Sequence, residues 1–167
     1  DLINVRKLNC YLNDRRVAGA CRIDKMHADI GFTKEIFYAG SEKSVFLLRV
    51  YNKAFERGYL DGLKDGKPWY RAEIQLRDRG AVQFIVEWAK CGDCAKIYSG
   101  HLLNQVRFLK KPNDFKNSQR IPTASFWKQF LGDVEKIKFV KTPGSDYNMT
   151  KLQKYLDHQV ASSVKAY

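Results

Sequence analysis

At residues 68–77 the chain reads PWYRAEIQLR, a stretch in which apolar and polar side chains alternate from Tyr70 onward. A period of two predicts a β-strand with one face packed on a core and the other face turned away from it. Arg71 and Glu73 lie on the same face of that strand because they are two residues apart. They form either a simple surface pair or a phosphate-binding cation held beside a carboxylate.

A second segment, LRVYNKAFER at residues 48–57, places Tyr51 where an apolar strand passes into a basic, helix-compatible stretch. Arg49 shares the face of Tyr51 if the strand continues, and Lys53 and Arg57 follow. A phenol with the ordinary pKa of about 10 is a poor nucleophile, and we expect these cations to favour the phenolate. Tyr51 is either an ordinary aromatic at a strand end or, beside the alternating strand, the nucleophile of a phosphodiester-breaking set.

The composition favours a polyanionic partner. The 167 residues contain 30 Lys and Arg against 18 Asp and Glu, which gives a net charge of +12. Nucleic acid is the most common partner of such a chain, although ribosomal or membrane-surface binding would need the same charge. With 44% hydrophobic and 13% aromatic residues, the chain is expected to fold as one globular domain. No apolar run approaches the roughly 18 residues of a membrane-spanning helix.

The cysteines and histidines do not form a recognisable metal motif. Cys91 and Cys94 have the spacing of a metal or redox pair, but a structural zinc site needs four ligands and no second pair follows. We therefore expect the four cysteines to be free thiols in a cytoplasmic protein. The start at Asp1 shows no signal peptide, and the missing initiator methionine suggests a fragment.

Periodicity and turn signals divide the chain into short elements. Strands are predicted at residues 20–27, 32–39, 45–51, 69–77 and 134–140, with a tight polar turn at 40–44. Helices are predicted at residues 2–14, 53–61, 94–103 and 152–164, after an N-cap at Asp78, and around Phe126, Phe130 and Leu131. Strands grouped early, with helices between and after them, predict an α+β fold in which helices pack on an antiparallel-rich central sheet.

Residues 110–123 are basic and contain two prolines, which predicts an exposed loop. Such a run is usually a solvated surface, but next to a DNA-binding site it would contact the phosphate backbone. The basic residues of this region are Arg107, Lys110, Lys111, Lys116 and Arg120. The tryptophans are expected to be core or edge anchors, although Trp69 and Tyr70 could instead stack on unpaired bases.

Three motifs occur in a fixed order: YxGSxKS from residue 38, RxYNKxxE from residue 49 and WxRxExxLR from residue 69. Together they resemble the replication initiation factor family. Its members are the trans-acting Rep initiators of rolling-circle plasmids and the MobT-class relaxases of Gram-positive integrative conjugative elements. The segment around Trp127 and the end at residues 152–164 also look like the C-terminal part of that family.

The resemblance implies an enzyme that nicks and rejoins one DNA strand at an origin, to start rolling-circle replication or conjugative transfer. A tyrosine would attack one phosphodiester and leave a 5′-phosphotyrosyl enzyme and a free 3′-hydroxyl, with help from Mg²⁺ or Mn²⁺. Carried over to this sequence, Tyr51 would be the nucleophile and Glu73 a metal ligand. Arg71 and Lys53 would neutralise the phosphate, supported by Arg49.

The resemblance also implies further contacts. Lys43, Arg57, Lys110 and Lys111 would bind DNA, and Asp1 would be a second metal ligand if it is the last carboxylate of an acidic motif that family members carry. Residues 1–167 would then be a single catalytic domain that lacks its N-terminal strand. The expected partners are single-stranded or supercoiled origin DNA and a host helicase, and the oligomeric state is left open.

Two departures and two alternatives accompany this interpretation. Glu42 replaces the arginine that the family has in the turn at residues 40–44, which removes one cation near the DNA. No helix-turn-helix segment like that of many conjugative relaxases is present. The main alternative is a DNA- or RNA-binding module without catalysis, in which Tyr51 and Trp69 stack on bases. Only the charge favours a ribosome-associated protein.

Overall fold

The part of the chain that the structure describes contains five helices and eight strands. The structure is a computed structural model that describes residues 3–113, residues 118–132 and positions 135 and 137. The helices are α1 (Val5–Asn13), α2 (Lys53–Glu56), α3 (Asp78–Cys91), α4 (Cys94–Gln105) and α5 (Ser125–Leu131), with a 3-10 turn at Ile23–Lys25. The strands are β1 (Val17–Ala18), β2 (Met26–Ile30), β3 (Glu35–Gly40), β4 (Phe46–Asn52), β5 (Leu63–Lys64), β6 (Lys67–Pro68), β7 (Tyr70–Leu76) and β8 (Arg107–Phe108).

The central sheet has four antiparallel strands in the order β2-β3-β4-β7. Leu48 and Val50 of β4 are fully buried on one face, while Arg49 and Tyr51 lie on the opposite face. This alternation follows the period of two in the sequence. The predicted α+β architecture, with helices packed on an antiparallel-rich sheet, is confirmed.

The hydrophobic core lies between one face of this sheet and the helices α1, α4 and α5. Trp127 of α5 is fully buried, as predicted for a core anchor. Its ring packs edge-on against Phe108 with the centroids 4.9 Å apart, and its indole N–H donates to the carbonyl oxygen of Val106 at 3.0 Å. Arg49 and Tyr51 lie on the opposite face of the sheet. Within the described residues, no helix combines the length and apolar character that crossing a membrane requires.

Most predicted elements are present with shifted bounds. The first strand of the predicted hairpin starts at Met26, because a 3-10 turn occupies residues 23–25. The helix predicted at 53–61 is a single turn, since Gly58 and Gly62 adopt positive φ angles of 86° and 70°. Such angles end a helix. The predicted strand at 134–140 and helix at 152–164 lie outside the described residues, apart from positions 135 and 137.

Asp78 is not the N-cap of α3, contrary to the prediction. The cap is Arg77, whose backbone N–H donates to the carbonyl oxygen of Val45 at 3.0 Å and so extends the ladder beyond β7. Arg77 therefore stays extended, and Asp78 becomes the first helical residue. Its carboxylate still lies in the first turn, where the helix dipole favours negative charge.

The turn at residues 40–44 has a structural explanation. Gly40 has a φ of 103°, and a Cβ at this position would lie 2.3 Å from the carbonyl oxygen of Phe46. The Ser44 hydroxyl donates to the carbonyl oxygen of Ser41 at 2.7 Å and closes the turn. The glycine and the serines of the YxGSxKS motif therefore serve the geometry of the β3–β4 connection.

Candidate active site

The site lies where β4 and β7 run side by side. The two strands pair antiparallel, with Arg49 opposite Glu73 and Tyr51 opposite Arg71. Cross-strand neighbours on one face have Cβ atoms roughly 5 Å apart, so this register alone brings the two sequence motifs together. A slip of β7 by one residue would move Arg71 and Glu73 to the core face.

Glu73 is the centre of the hydrogen-bond network. The Tyr51 hydroxyl donates to its Oε1 at 2.8 Å, and Arg71 Nη1 lies 3.3 Å from the same oxygen. Arg49 Nη2 donates to Oε2 at 3.0 Å. The side chain of Glu73 is 32% exposed, so the network stays open to a ligand from solvent.

Electrostatics keep Tyr51 protonated in this arrangement. Burial raises the pKa of the Tyr51 hydroxyl, and the hydrogen bond to Glu73 and the negative charge of that carboxylate raise it further. The expectation that nearby cations favour the phenolate is therefore wrong for the protein without DNA. It overlooked the carboxylate that the register places within hydrogen-bond distance of the hydroxyl, and burial together with this carboxylate outweighs the hydrogen bond from Arg71, which lowers the pKa.

Glu73 itself remains ionised. Burial alone would raise its pKa, but the hydrogen bonds from Tyr51 and Arg71 and the positive charges of Arg49 and Arg71 outweigh it and lower the pKa. The resting site thus holds a carboxylate, a neutral phenol and two guanidinium groups. A carboxylate that accepts the proton of a neutral hydroxyl is the usual arrangement around an oxygen nucleophile.

Lys53 is buried, although sequence reasoning expected it to be available to a phosphate. It forms an ion pair with Glu56, three residues further along, and its Nζ lies 5.7 Å from the centroid of the Tyr51 ring. The hydrogen bond from Lys53 is the largest cause that lowers the pKa of Glu56. Part of the charge of Lys53 is therefore already compensated before any phosphate arrives.

A cleft of about 500 Å³ opens over these residues. Five of the predicted site residues line it: Arg49, Tyr51, Lys53, Arg71 and Glu73. The cleft also contains Glu35 and Glu56, to which sequence reasoning gave no role. The i, i+3 spacing of Lys53 and Glu56 was the signal that could have identified their ion pair.

The other predicted DNA contacts lie away from the cleft lining. Lys43 belongs to the β3–β4 turn, and β4 rises by about 3.3 Å per residue, which puts the start of that strand roughly 17 Å from Tyr51. Arg57 caps the C-terminal end of α2. Lys110 and Lys111 are exposed just after β8, whereas Lys116 and Asp1 lie outside the described residues.

The metal expected from the family resemblance finds only part of a site here. Among the described residues, no group of three or more His, Cys, Asp and Glu is arranged to hold an ion. Glu73 offers hard oxygen donors in the cleft, and Mg²⁺ is often bound by one or two carboxylates together with substrate phosphates and water. Glu73 therefore fits one ligand position, and the described residues do not complete the set. All four cysteines are free, as predicted.

The chain is similar in sequence and in structure to known proteins. The family model described as replication initiation factor matches residues 4–167. A Bacillus subtilis (strain 168) protein named as a DNA relaxase, NicK, is 28% identical over 130 residues, which cover 77% of this chain and 36% of that protein. A rolling circle replication initiator protein from Geobacillus stearothermophilus is similar in structure, with a TM-score of 0.60 and 27% sequence identity. That match covers 84% of this chain and 54% of the solved chain, so the present sequence spans about a third to a half of these relatives.

Proposed function

Because the chain belongs to the replication initiation factor family, we propose that it nicks and rejoins one strand of an origin DNA through Tyr51. Tyr51 Oη forms a bond to the phosphorus and gives its proton to Glu73 while the bond to the 3′-oxygen breaks and that oxygen takes a proton from water, which leaves a 5′-phosphotyrosyl enzyme and a free 3′-hydroxyl. The reaction starts rolling-circle replication or conjugative transfer. The observation that carries the proposal is the hydrogen bond of 2.8 Å from the Tyr51 hydroxyl to Glu73, in a cleft that also contains two arginines.

Glu73 prepares the nucleophile. Its Oε1 accepts a hydrogen bond from the Tyr51 hydroxyl and so fixes the direction of the O–H bond, while Arg71 donates to the same Tyr51 oxygen. The hydrogen bond to Glu73 is the route by which the proton leaves as the bond to phosphorus forms. Arg49 and Arg71 donate to Glu73 and keep its carboxylate ionised, so that it can accept that proton.

Arg71 and Arg49 hold the reacting phosphate. Guanidinium groups present several N–H donors in a planar fork that matches phosphate oxygens, and both side chains are 45% exposed. Donors aimed at a phosphate that gains negative charge lower the barrier of the reaction. Lys53 contributes a further positive charge beneath the Tyr51 ring, shared with Glu56.

A divalent ion, Mg²⁺ or Mn²⁺, would supply Lewis-acid polarisation of the scissile phosphate, and Glu73 is the described residue that would hold it. We propose Asp1 as a second ligand, although this residue lies outside the described part of the chain. We further propose that residues 1–167 act as one nicking domain in the cytoplasm, where free thiols are stable, on single-stranded or supercoiled origin DNA and together with a host helicase.

The decisive experiment compares Tyr51→Phe with Tyr38→Phe, the latter a tyrosine that pairs opposite Arg49 and stacks on His27 at 4.8 Å. Each variant is incubated with labelled single-stranded origin DNA and Mn²⁺, and covalent adducts are counted on a denaturing gel. Tyr51→Phe should form none while it still binds DNA, because it loses only the nucleophilic oxygen. Tyr38→Phe should form the adduct. An adduct on Tyr51→Phe would disprove the assignment, and a wild-type protein that binds without an adduct would be a binding module.

A further inference from the structure

Exposed apolar side chains are concentrated at one end of the central sheet. Among the described residues, seven large hydrophobic side chains are exposed, and four of them are Ile30, Phe32, Tyr59 and Leu60. Phe32 is completely exposed and Leu60 is 82% exposed. Grouped exposed apolar side chains indicate a binding surface, whereas single scattered ones do not.

A cavity of about 480 Å³ lies between the loop after β2, residues 31–34, and the loop after α2, residues 57–62. Its apolar walls come from Ile30, Phe32, Phe55, Leu63 and Pro68, and the ring of Tyr70 also lines it. We call this cavity the Phe32 pocket. Its size falls within the range of small-molecule sites, and walls with several aromatic rings suit a flat, apolar-faced ligand.

One wall of the Phe32 pocket is rigid. The buried carboxylate of Glu35 accepts a hydrogen bond from the Tyr70 hydroxyl at 2.6 Å and another from Arg6 Nε at 2.7 Å. The guanidinium of Arg6 also lines the pocket and is 66% exposed, so its other N–H groups can donate to a polar edge or a phosphate. The pocket therefore combines stacking surfaces with a cation at its rim.

The Phe32 pocket adjoins the cleft of Tyr51. Glu35, Asn52 and Phe55 line both cavities. Tyr51 and Asn52 are consecutive residues of β4, so their side chains point to opposite faces of the sheet at the same end. A DNA strand whose phosphate lies at Tyr51 can therefore pass around the end of the sheet, so that its next bases reach the Phe32 pocket.

We propose that the Phe32 pocket receives an unpaired nucleobase of the DNA strand whose phosphate lies at Tyr51, stacked on the ring of Phe32. The position of that phosphate rests on the proposed function. Every base has a π-face, so stacking needs no particular sequence, and the net charge of +12 favours a nucleic acid over an uncharged protein partner. Arg6 binds the polar edge of the base or the adjoining phosphate.

The test measures binding alone, in Tyr51→Phe protein that cannot react. Two fluorescein-labelled single-stranded oligonucleotides of equal length and charge serve as probes, one of thymidines and one with abasic sugars at its central positions. The first should bind about tenfold more tightly, the range expected for one stacked base. Phe32→Ala should abolish this preference, and Phe32→Trp should restore it. Because Phe32 is completely exposed, neither change should alter the fold.

Trp88→Ala is the matched control, since Trp88 is an aromatic residue of α3 that is 46% exposed and lines neither cavity. It should keep the preference. Equal binding of the two oligonucleotides, or a preference that survives Phe32→Ala, would overturn the inference. Formation of covalent adducts by the wild-type protein is measured separately. If adducts form but the two oligonucleotides bind equally, only the role of the Phe32 pocket is refuted. If the thymidine oligonucleotide binds more tightly but no adducts form, only the nicking proposal is refuted.

Discussion

At the scale of single residues, Glu73 is the centre of the candidate site. Its two oxygens accept from Tyr51 and Arg71 on one side and from Arg49 on the other. It therefore orients the phenol, fixes both guanidinium groups and holds the resting charge pattern in place. One residue with three functions is expected to be far more sensitive to substitution than any of the donors around it.

Glu73→Gln tests this dependence. The amide has the same shape, so the fold should survive, but it cannot take up the Tyr51 proton and it binds a divalent ion weakly. Single-turnover cleavage of labelled origin DNA should slow by several orders of magnitude, and its dependence on Mn²⁺ concentration should become weaker. Glu87→Gln, which removes an exposed partner of Lys90 on α3, should leave both measurements unchanged. Cleavage at the wild-type rate by Glu73→Gln would show that another group accepts the proton.

Sequence reasoning selected residues that the structure brings together in one cleft, but it did not give their charge states. The period of two put Arg71 and Glu73 on one face, and the strand ending at Tyr51 put Arg49 beside it. The register that pairs Tyr51 with Arg71 depends on the whole sheet, and no local pattern encodes it. For that reason the raised pKa of Tyr51 and the burial of Lys53 could not be foreseen.

At the scale of elements, Asn52 joins the end of β4 to the helix that follows. Its Oδ1 accepts from the backbone N–H of Ala54 at 3.0 Å, which caps α2. Its Nδ2 donates to the carbonyl oxygen of Gly62 at 2.9 Å, which ties down the loop on one side of the Phe32 pocket. The asparagine of the RxYNKxxE motif thus has a structural role between Tyr51 and Lys53, two residues of the candidate site.

Replacing Asn52 should therefore lower the free energy of unfolding through the loss of two separate hydrogen bonds. Asn52→Ala removes the helix cap and leaves the buried carbonyl of Gly62 without its donor, so the free energy of unfolding should fall by about 2–3 kcal/mol. Asn52→Ser retains an acceptor for the cap and should lose roughly half as much. Urea unfolding followed by circular dichroism measures both. Equal losses in the two variants would show that the bond to Gly62 alone carries the effect.

Element boundaries were less predictable than element types. Strands and helices with clear periodicity, such as those at residues 69–77 and 94–103, lie within a few residues of their predicted positions. The helix predicted at 53–61 ended early because glycines with positive φ interrupted it, and Asp78 lost the cap position to a backbone bond formed across the sheet. The first error comes from glycines within the predicted helix itself, whereas the second comes from a contact between elements, which overrides a local preference.

At the scale of the whole molecule, the cations paired in the cleft and the exposed lysines of the surface occupy different regions. The cations of the cleft are held by carboxylates, whereas Lys110 and Lys111 are exposed beyond β8 and form no ion pair within the described residues. The first group is suited to one reacting phosphate, and the second to general contact with a DNA backbone. Mutations in the two groups should accordingly produce different signatures.

The double variant Lys110→Gln/Lys111→Gln should weaken DNA binding in a salt-dependent manner. Each phosphate contact releases a counterion, so the slope of log affinity against log salt should decrease by about two, and the charge-preserving pair Lys110→Arg/Lys111→Arg should keep the original slope.

Arg71→Gln should instead lower the single-turnover cleavage rate by about a hundredfold and change affinity little, because its interaction strengthens in the transition state. Fluorescence anisotropy at several salt concentrations and quenched-flow cleavage measure the two effects. Equal losses of rate and affinity in both variants would mean that the reacting phosphate and the backbone contacts are not separated, and an unchanged salt slope would identify residues 110 and 111 as solvated surface.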